Sequence, residues 1–197
     1  MAHDPQRLRR PEDFTAAQRR VIAAALQLFA DHGVSGTSLQ MIADVIGVTK
    51  AAVYHQFRTK EEIVLAVAEH EFHSLEAAVE EAEAAGSVDA GRQALLTSVI
   101  TMAVERRRWV QALQNDPVMI RLLATHEPLM EVMTRAYALL LGDEPATSDR
   151  VRIAVLSGAI GAAVVHPLVA DLDDDTLRRE LLTVADRLFA AFADLGA

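Results

Sequence analysis

The chain has 197 residues, 51% of them apolar, which allows a hydrophobic core in one or two domains; its formal net charge is −9. It holds no cysteine, which excludes disulfides and thiolate metal sites and fits a reducing cytoplasm. No run of about 20 apolar residues is free of charges, so no membrane span is expected, and the first residues lack the apolar stretch of a signal peptide.

The charge is unevenly spread. Residues 1–60 carry eight Lys/Arg against five Asp/Glu, and the remainder eleven against twenty-three. A small basic head on an acidic body suggests that only the head meets a polyanion.

In chain order, residues 1–14 are polar, contain Pro5 and Pro11, and read as a flexible arm. Thr15 followed by Gln18 is a capping-box pattern that opens a helix running to about His32, with Gly33 as a left-handed stop. Leu39, Ile42, Ala43 and Ile46 keep helical spacing up to Gly47, and Thr49 is a good N-cap for the next piece. In that piece Val53 and Phe57 lie one turn apart on the side expected to be buried. Thr59 and Glu62 form a further capping box, opening a long helix to about Ala85.

The rest reads as helices over Asp89 to Arg107, from Pro117 to near His126, from Pro128 to Leu141, from Ser148 to Ala163, and from about Leu177 to Leu195. No strand-like alternation appears. The expected fold is all-α, with about nine helices. The expected division is an arm (1–14), a helix-turn-helix domain (15–60) and a larger helical domain (61–197), to which the family resemblance described below assigns effector binding and dimerisation.

The second and third helices, with the glycine turn between them and the first helix behind, have the spacing of a helix-turn-helix. With Val53 and Phe57 inward, Lys50, Ala51, Tyr54 and His55 point outward. Small residues let a helix backbone enter the major groove, where Ala51 or Ala52 meets a thymine methyl and Lys50 donates to guanine or phosphate. Tyr54 and His55 donate to phosphate oxygens, although Tyr54 suits the core between helices as well. Lys60 stands in the first turn of a helix, where free N–H groups favour an anion. Arg7, Arg9 and Arg10 either reach a minor groove or belong to an idle tail.

The stretch TSLQMIADVIGVTKAAVYHQFRTKEEIV resembles the N-terminal signature of TetR-family transcriptional regulators. Thr37, Ser38, Ile42, Ala43, Gly47, Val48, Thr49, Tyr54, Phe57, Lys60 and Glu61 carry the likeness, which spans about residues 15–64. The resemblance implies that Ser38 or Thr37 binds phosphate and that Gln40 reaches a base. It implies further that Thr49, Lys50, Ala51, Ala52 and Tyr54 lie at the groove, with His55, Gln56 and Lys60 on the DNA backbone. Ala51 stands where the family commonly has glycine.

The same resemblance implies a ligand-responsive repressor, released from a palindromic operator by a small molecule, and a homodimer joined through its last two helices. Leu177, Leu181, Ala185, Leu188 and Phe192 form an apolar stripe on the last helix, and Gly158, Gly161 and Ala162 permit close approach on the one before. Intrachain core would use the same stripe. Phe72, His73, Trp109, Leu113, Met119, Leu123, His126, Met130, Met133 and Tyr137 are candidate linings for a mainly apolar effector, the methionines being adaptable; plain core is the alternative for each.

No cofactor, metal or catalytic residue is expected. His70, Glu71 and His73 fall one residue short of a zincin motif, and no phosphate loop or nucleophile elbow occurs. The alternative to a regulator is a helical small-molecule-binding protein, or a metal sensor with weak DNA binding.

Overall fold

The computed structural model describes residues 7–142 and 145–194, without the side chains of Asn115 and of 190–194. Ten α-helices follow a 3-10 turn at Pro11–Asp13: α1 (Ala16–Gly36), α2 (Leu39–Ile46), α3 (Lys50–Gln56), α4 (Lys60–Glu83), α5 (Val88–Glu105), α6 (Arg107–Asn115), α7 (Pro117–Leu123), α8 (Glu127–Leu141), α9 (Thr147–Val164) and α10 (Asp174–Asp194). No strand occurs among the described residues, and no helix there is long and apolar enough to cross a membrane.

The local signals account for most of the boundaries. Thr15 and Gln18 exchange side-chain to backbone hydrogen bonds at the start of α1, and Thr49 accepts from the Ala52 N–H at the start of α3. The Thr59 hydroxyl accepts from the Glu62 N–H, but Glu62 reaches back to the N–H of Arg58 rather than to that of Thr59. Gly33 (φ 71°, ψ 165°) interrupts α1, so that Val34–Gly36 is a separate turn beyond the break. The expected helix from Asp89 to Arg107 is α5, ended at Arg106 (φ −115°, ψ 34°), and α6 follows it directly over a stretch with no expected helix.

The chain divides into two compact units. The first takes residues up to Glu76 together with Gln111–Val132; the second takes Ala77–Val110 and the residues from Met133 onward. The division between these units therefore falls within α4, and α7 joins the unit of the helix-turn-helix.

In the first unit α1 packs on α2, α3 and α7. Its buried side chains include Val21, Ile22, Leu28, Phe29, Ile42, Val53, Phe57, Ile63 and Met119. Leu8 and Phe14 are buried too, so the arm from Leu8 onward is packed instead of loose. The Arg9 guanidinium lies over the Phe14 ring and pairs with Glu69, a buried carboxylate of α4 that also meets His126 Nε2 at 2.9 Å. Two partners offset the cost of burying that charge.

In the second unit α5 packs against α9 and α10, which also pack on each other. Leu96, Ile100 and Val104 of α5 meet Leu156, Ile160 and Val164 of α9, and Leu177 and Ala185 of α10, in one core. Burying each such Leu, Ile or Val side chain is worth about 1.5–3 kcal/mol.

Candidate nucleic-acid interface

A glycine turn, one contact from α1 and two buried anchors orient α3. Gly47 sits at φ 71°, ψ 39°, the left-handed conformation that side chains disfavour, and turns the chain from α2 into α3. Arg20 of α1 donates to the Ile46 carbonyl at 2.8 Å and satisfies the exposed end of α2. Val53 and Phe57 are buried and pin one side of α3. The opposite side presents Lys50, Ala51, Ala52, Tyr54 and His55 to solvent.

Tyr54 is 46% exposed, which removes it from the core. Its ring lies 5.7 Å from Lys50 Nζ, a cation–π contact that holds the ammonium over the helix start. The exposed surface thus combines one cation, two methyl-bearing residues, a phenol and an imidazole. Gln56 is half-buried, with Nε2 3.3 Å from His55 Nδ1.

At the start of α2 the two hydroxyls part company. Ser38 is exposed and accepts from the Met41 N–H at 3.2 Å. Thr37 is buried, and its hydroxyl points to the carbonyls of Leu28 and Gly33, at 3.2 and 2.8 Å. Of the pair, Ser38 is the one a phosphate could reach. Gln40 is exposed and donates to Asp44 at 2.7 Å.

Lys60 also points inward, placing Nζ 2.8 Å from the Val34 carbonyl and 3.1 Å from that of Thr37. An ammonium on two carbonyls at a helix end is a structural tie. Lys60→Met is expected to lower stability by about 1–2 kcal/mol, while the slope of DNA affinity against salt stays unchanged. A slope reduced by about one would instead place this ammonium on a phosphate.

Asp116 is a residue that the sequence reading did not single out. Its carboxylate is 5% exposed and accepts from four backbone N–H groups, those of Val118, Met119, Val34 and Ser35. Burial pushes its pKa up, but the four hydrogen bonds outweigh that and hold it below the usual aspartate range. The pair Asp116–Pro117 signals a helix start in sequence; its reach to Val34 carries no local signal.

The candidate effector residues are spread over both units. Phe72, His73, Leu113, Met119, Leu123, His126 and Met130 belong to the first, and Trp109, Met133 and Tyr137 to the second. Met119, Trp109 and Leu123 are buried, whereas Met130 and Tyr137 are exposed. A cavity of about 460 Å³ lies in the second unit and is lined by none of these ten. Arg92, Arg152, Asp89 and Asp149 give it charge, and Leu96 and Ile153 give it apolar wall. His73 Nδ1 lies 2.6 Å from the His70 carbonyl. No three His, Asp or Glu side chains among the described residues are grouped to hold a metal.

On the two last helices part of the stripe packs within the chain. Leu177 and Ala185 are buried, and Leu181 and Leu188 lie against the same core; the Phe192 side chain lies outside the described residues. Among the described residues of these helices, the large apolar side chains left in solvent are Val151 and Val155 of α9 and Val184 of α10, with Gly158 and Ala162 exposed and Gly161 half-buried.

Comparison with known proteins agrees with this geometry. The family model described as bacterial regulatory proteins, tetR family, matches residues 21–67. The HTH-type transcriptional regulator SrpR of Pseudomonas putida is 44% identical over 59 residues, 30% of this chain and 28% of that protein. The HTH-type transcriptional regulator TtgR, also of Pseudomonas putida, is 36% identical over 77 residues, 38% of this chain and 37% of that one. The match thus spans well under half the length of these curated relatives. Among solved structures, a transcriptional regulator from Aquifex aeolicus VF5 superposes with a TM-score of 0.66 at 17% identity, over 88% of this chain and 99% of the other. A tetR-family regulatory protein from Rhodococcus RHA1 gives 0.64 at 20% identity, over 88% and 97%. Below 25% identity such likeness speaks for the fold, while the relatives and the family match speak for the head. With the helix-turn-helix in place, residues 21–67 match the N-terminal domain of the tetR family of bacterial regulatory proteins, and the all-helical layout is the fold of the solved tetR-family structures.

Proposed function

We propose that the chain works as a dimeric, ligand-responsive repressor that binds a near-palindromic operator in the cytoplasm. The observation that carries this reading is the face of α3, where Lys50, Ala51, Ala52, Tyr54 and His55 stand in solvent over two buried anchors, Val53 and Phe57. Lys50 and the alanines read base edges, while Ser38, His55 and Tyr54 hold phosphates. Thr49, Gln40 and Gln56 complete the surface. A second copy joins through the exposed side of α9, where Val151, Val155, Gly158 and Ala162 allow close approach, together with Val184 of α10. Twofold symmetry then sets two copies of α3 about one DNA turn, roughly 34 Å, or a multiple of it apart.

The effector binds the helical body and lowers DNA affinity by preferring the conformation with the heads wrongly spaced. The cavity of the second unit suits an amphipathic molecule, since it pairs two guanidiniums and two carboxylates with apolar wall.

Fluorescence anisotropy with duplex from upstream of the chain's own gene tests the reading. The logarithm of the affinity is expected to fall linearly with the logarithm of salt, by about 0.9 for each phosphate neutralised. Absent binding, or binding indifferent to salt, would overturn it.

A further inference from the structure

The five residues between the break in α1 and the start of α2 are held from two sides. Gly33 ends the regular helix, and Ser38 caps the next one. Their carbonyls are held by Lys60, which takes those of Val34 and Thr37. Their N–H groups are held by Asp116: Oδ2 accepts from Val34 at 2.6 Å and from Ser35 at 3.3 Å. The other oxygen of that carboxylate, Oδ1, accepts from Val118 at 2.9 Å and Met119 at 3.3 Å, and so caps α7.

A helix cap requires only one oxygen, and a serine would supply it. The second oxygen does nothing for α7. Its partners are the two N–H groups that the break at Gly33 frees from the helix ladder, more than eighty positions away. Gly33 suits the approach, since a Cβ there would stand 3.2 Å from Oδ2 on a backbone already at φ +71°. The far end of the connection is firm as well, because Met119 is fully buried.

We propose that Asp116 is a positioning residue that locks the start of α7 to the segment leading into α2, so that a displacement of α7 is passed to the helix-turn-helix. The regulatory consequence rests on the DNA-binding reading above; the mechanical one does not. A carboxylate bonded to both elements moves them together.

Asp116→Ser separates the two duties, since it keeps the cap and removes the tie. The chain has no cysteine of its own, so V45C on α2 and R121C on α7, both exposed, accept a pair of nitroxide labels. Pulsed dipolar spectroscopy on the full chain is expected to give one narrow distance distribution with Asp116 in place, and a broadened or shifted one in D116S. DNA affinity is expected to fall by roughly ten-fold, within the range that coupling residues produce. Should D116S fail to fold, D116N keeps the volume but has one acceptor oxygen for two sets of donors, and the same broadening is expected. An unchanged distribution in whichever variant folds overturns the proposal, because a residue that only caps α7 leaves the distance as it was. Broadening in a chain whose parent binds no DNA would overturn the repressor reading and leave the mechanical role standing.

Discussion

In Lys50→Glu, DNA affinity is expected to fall by at least about a hundred-fold, roughly 2.7 kcal/mol, while the head keeps its stability. The two effects have opposite signs for one physical reason. Lys50 is the first residue of α3 and is exposed. A carboxylate there sits at the positive end of the helix dipole and favours the helix by about 0.3–1 kcal/mol. Towards DNA, the same change removes a donor worth about 1–3 kcal/mol at a base edge and sets an anion against phosphates. Anisotropy titrations at two salt concentrations, beside a thermal melt, read both quantities. Affinity within a few-fold of the parent would mean that α3 does not enter the groove.

Phe57→Ala fails by another route. Phe57 is 3% exposed, closes α3 by donating its N–H to the Val53 carbonyl at 3.0 Å, and is the second of the two anchors beneath the exposed face. Removing a buried phenylalanine ring costs about 3–5 kcal/mol, a large part of the roughly 5–15 kcal/mol that an ordinary domain possesses. The urea midpoint is expected to drop accordingly, and DNA binding to disappear with the fold. Unlike Lys50→Glu, this variant is expected to lose helical signal and DNA affinity together over the same range of urea; loss of affinity at an unchanged midpoint would show that Phe57 touches DNA.

The head was legible because its signals are short-range. Thr15, Thr49 and Thr59 cap helices over three residues, and Gly33 and Gly47 adopt the positive φ that their places demand. Val53 and Phe57 repeat at one turn and are buried, as that spacing implies. What escaped the sequence is long-range or ambiguous. The start of α6 directly after Arg106 has neither glycine nor proline to mark it. Lys60 reads as a cation beside a helix start, and only the fold shows that the carbonyls of Val34 and Thr37 lie within its reach. The stripe through Leu177, Leu181, Ala185 and Leu188 fits a partner subunit as well as it fits α5 and α9, because a heptad pattern specifies burial and not the owner of the opposing surface. Asp116 shares with Lys60 the property that half of its bonding lies far away in sequence.

The valines of α9 bear on how any of these variants is weighed. With Val151 and Val155 each 57% exposed on a single chain, association in the proposed dimer favours the folded state by mass action. A melting temperature then belongs to the solution as much as to the sequence, rising with protein concentration. Two variants compared at different concentrations differ by dilution before they differ by mutation.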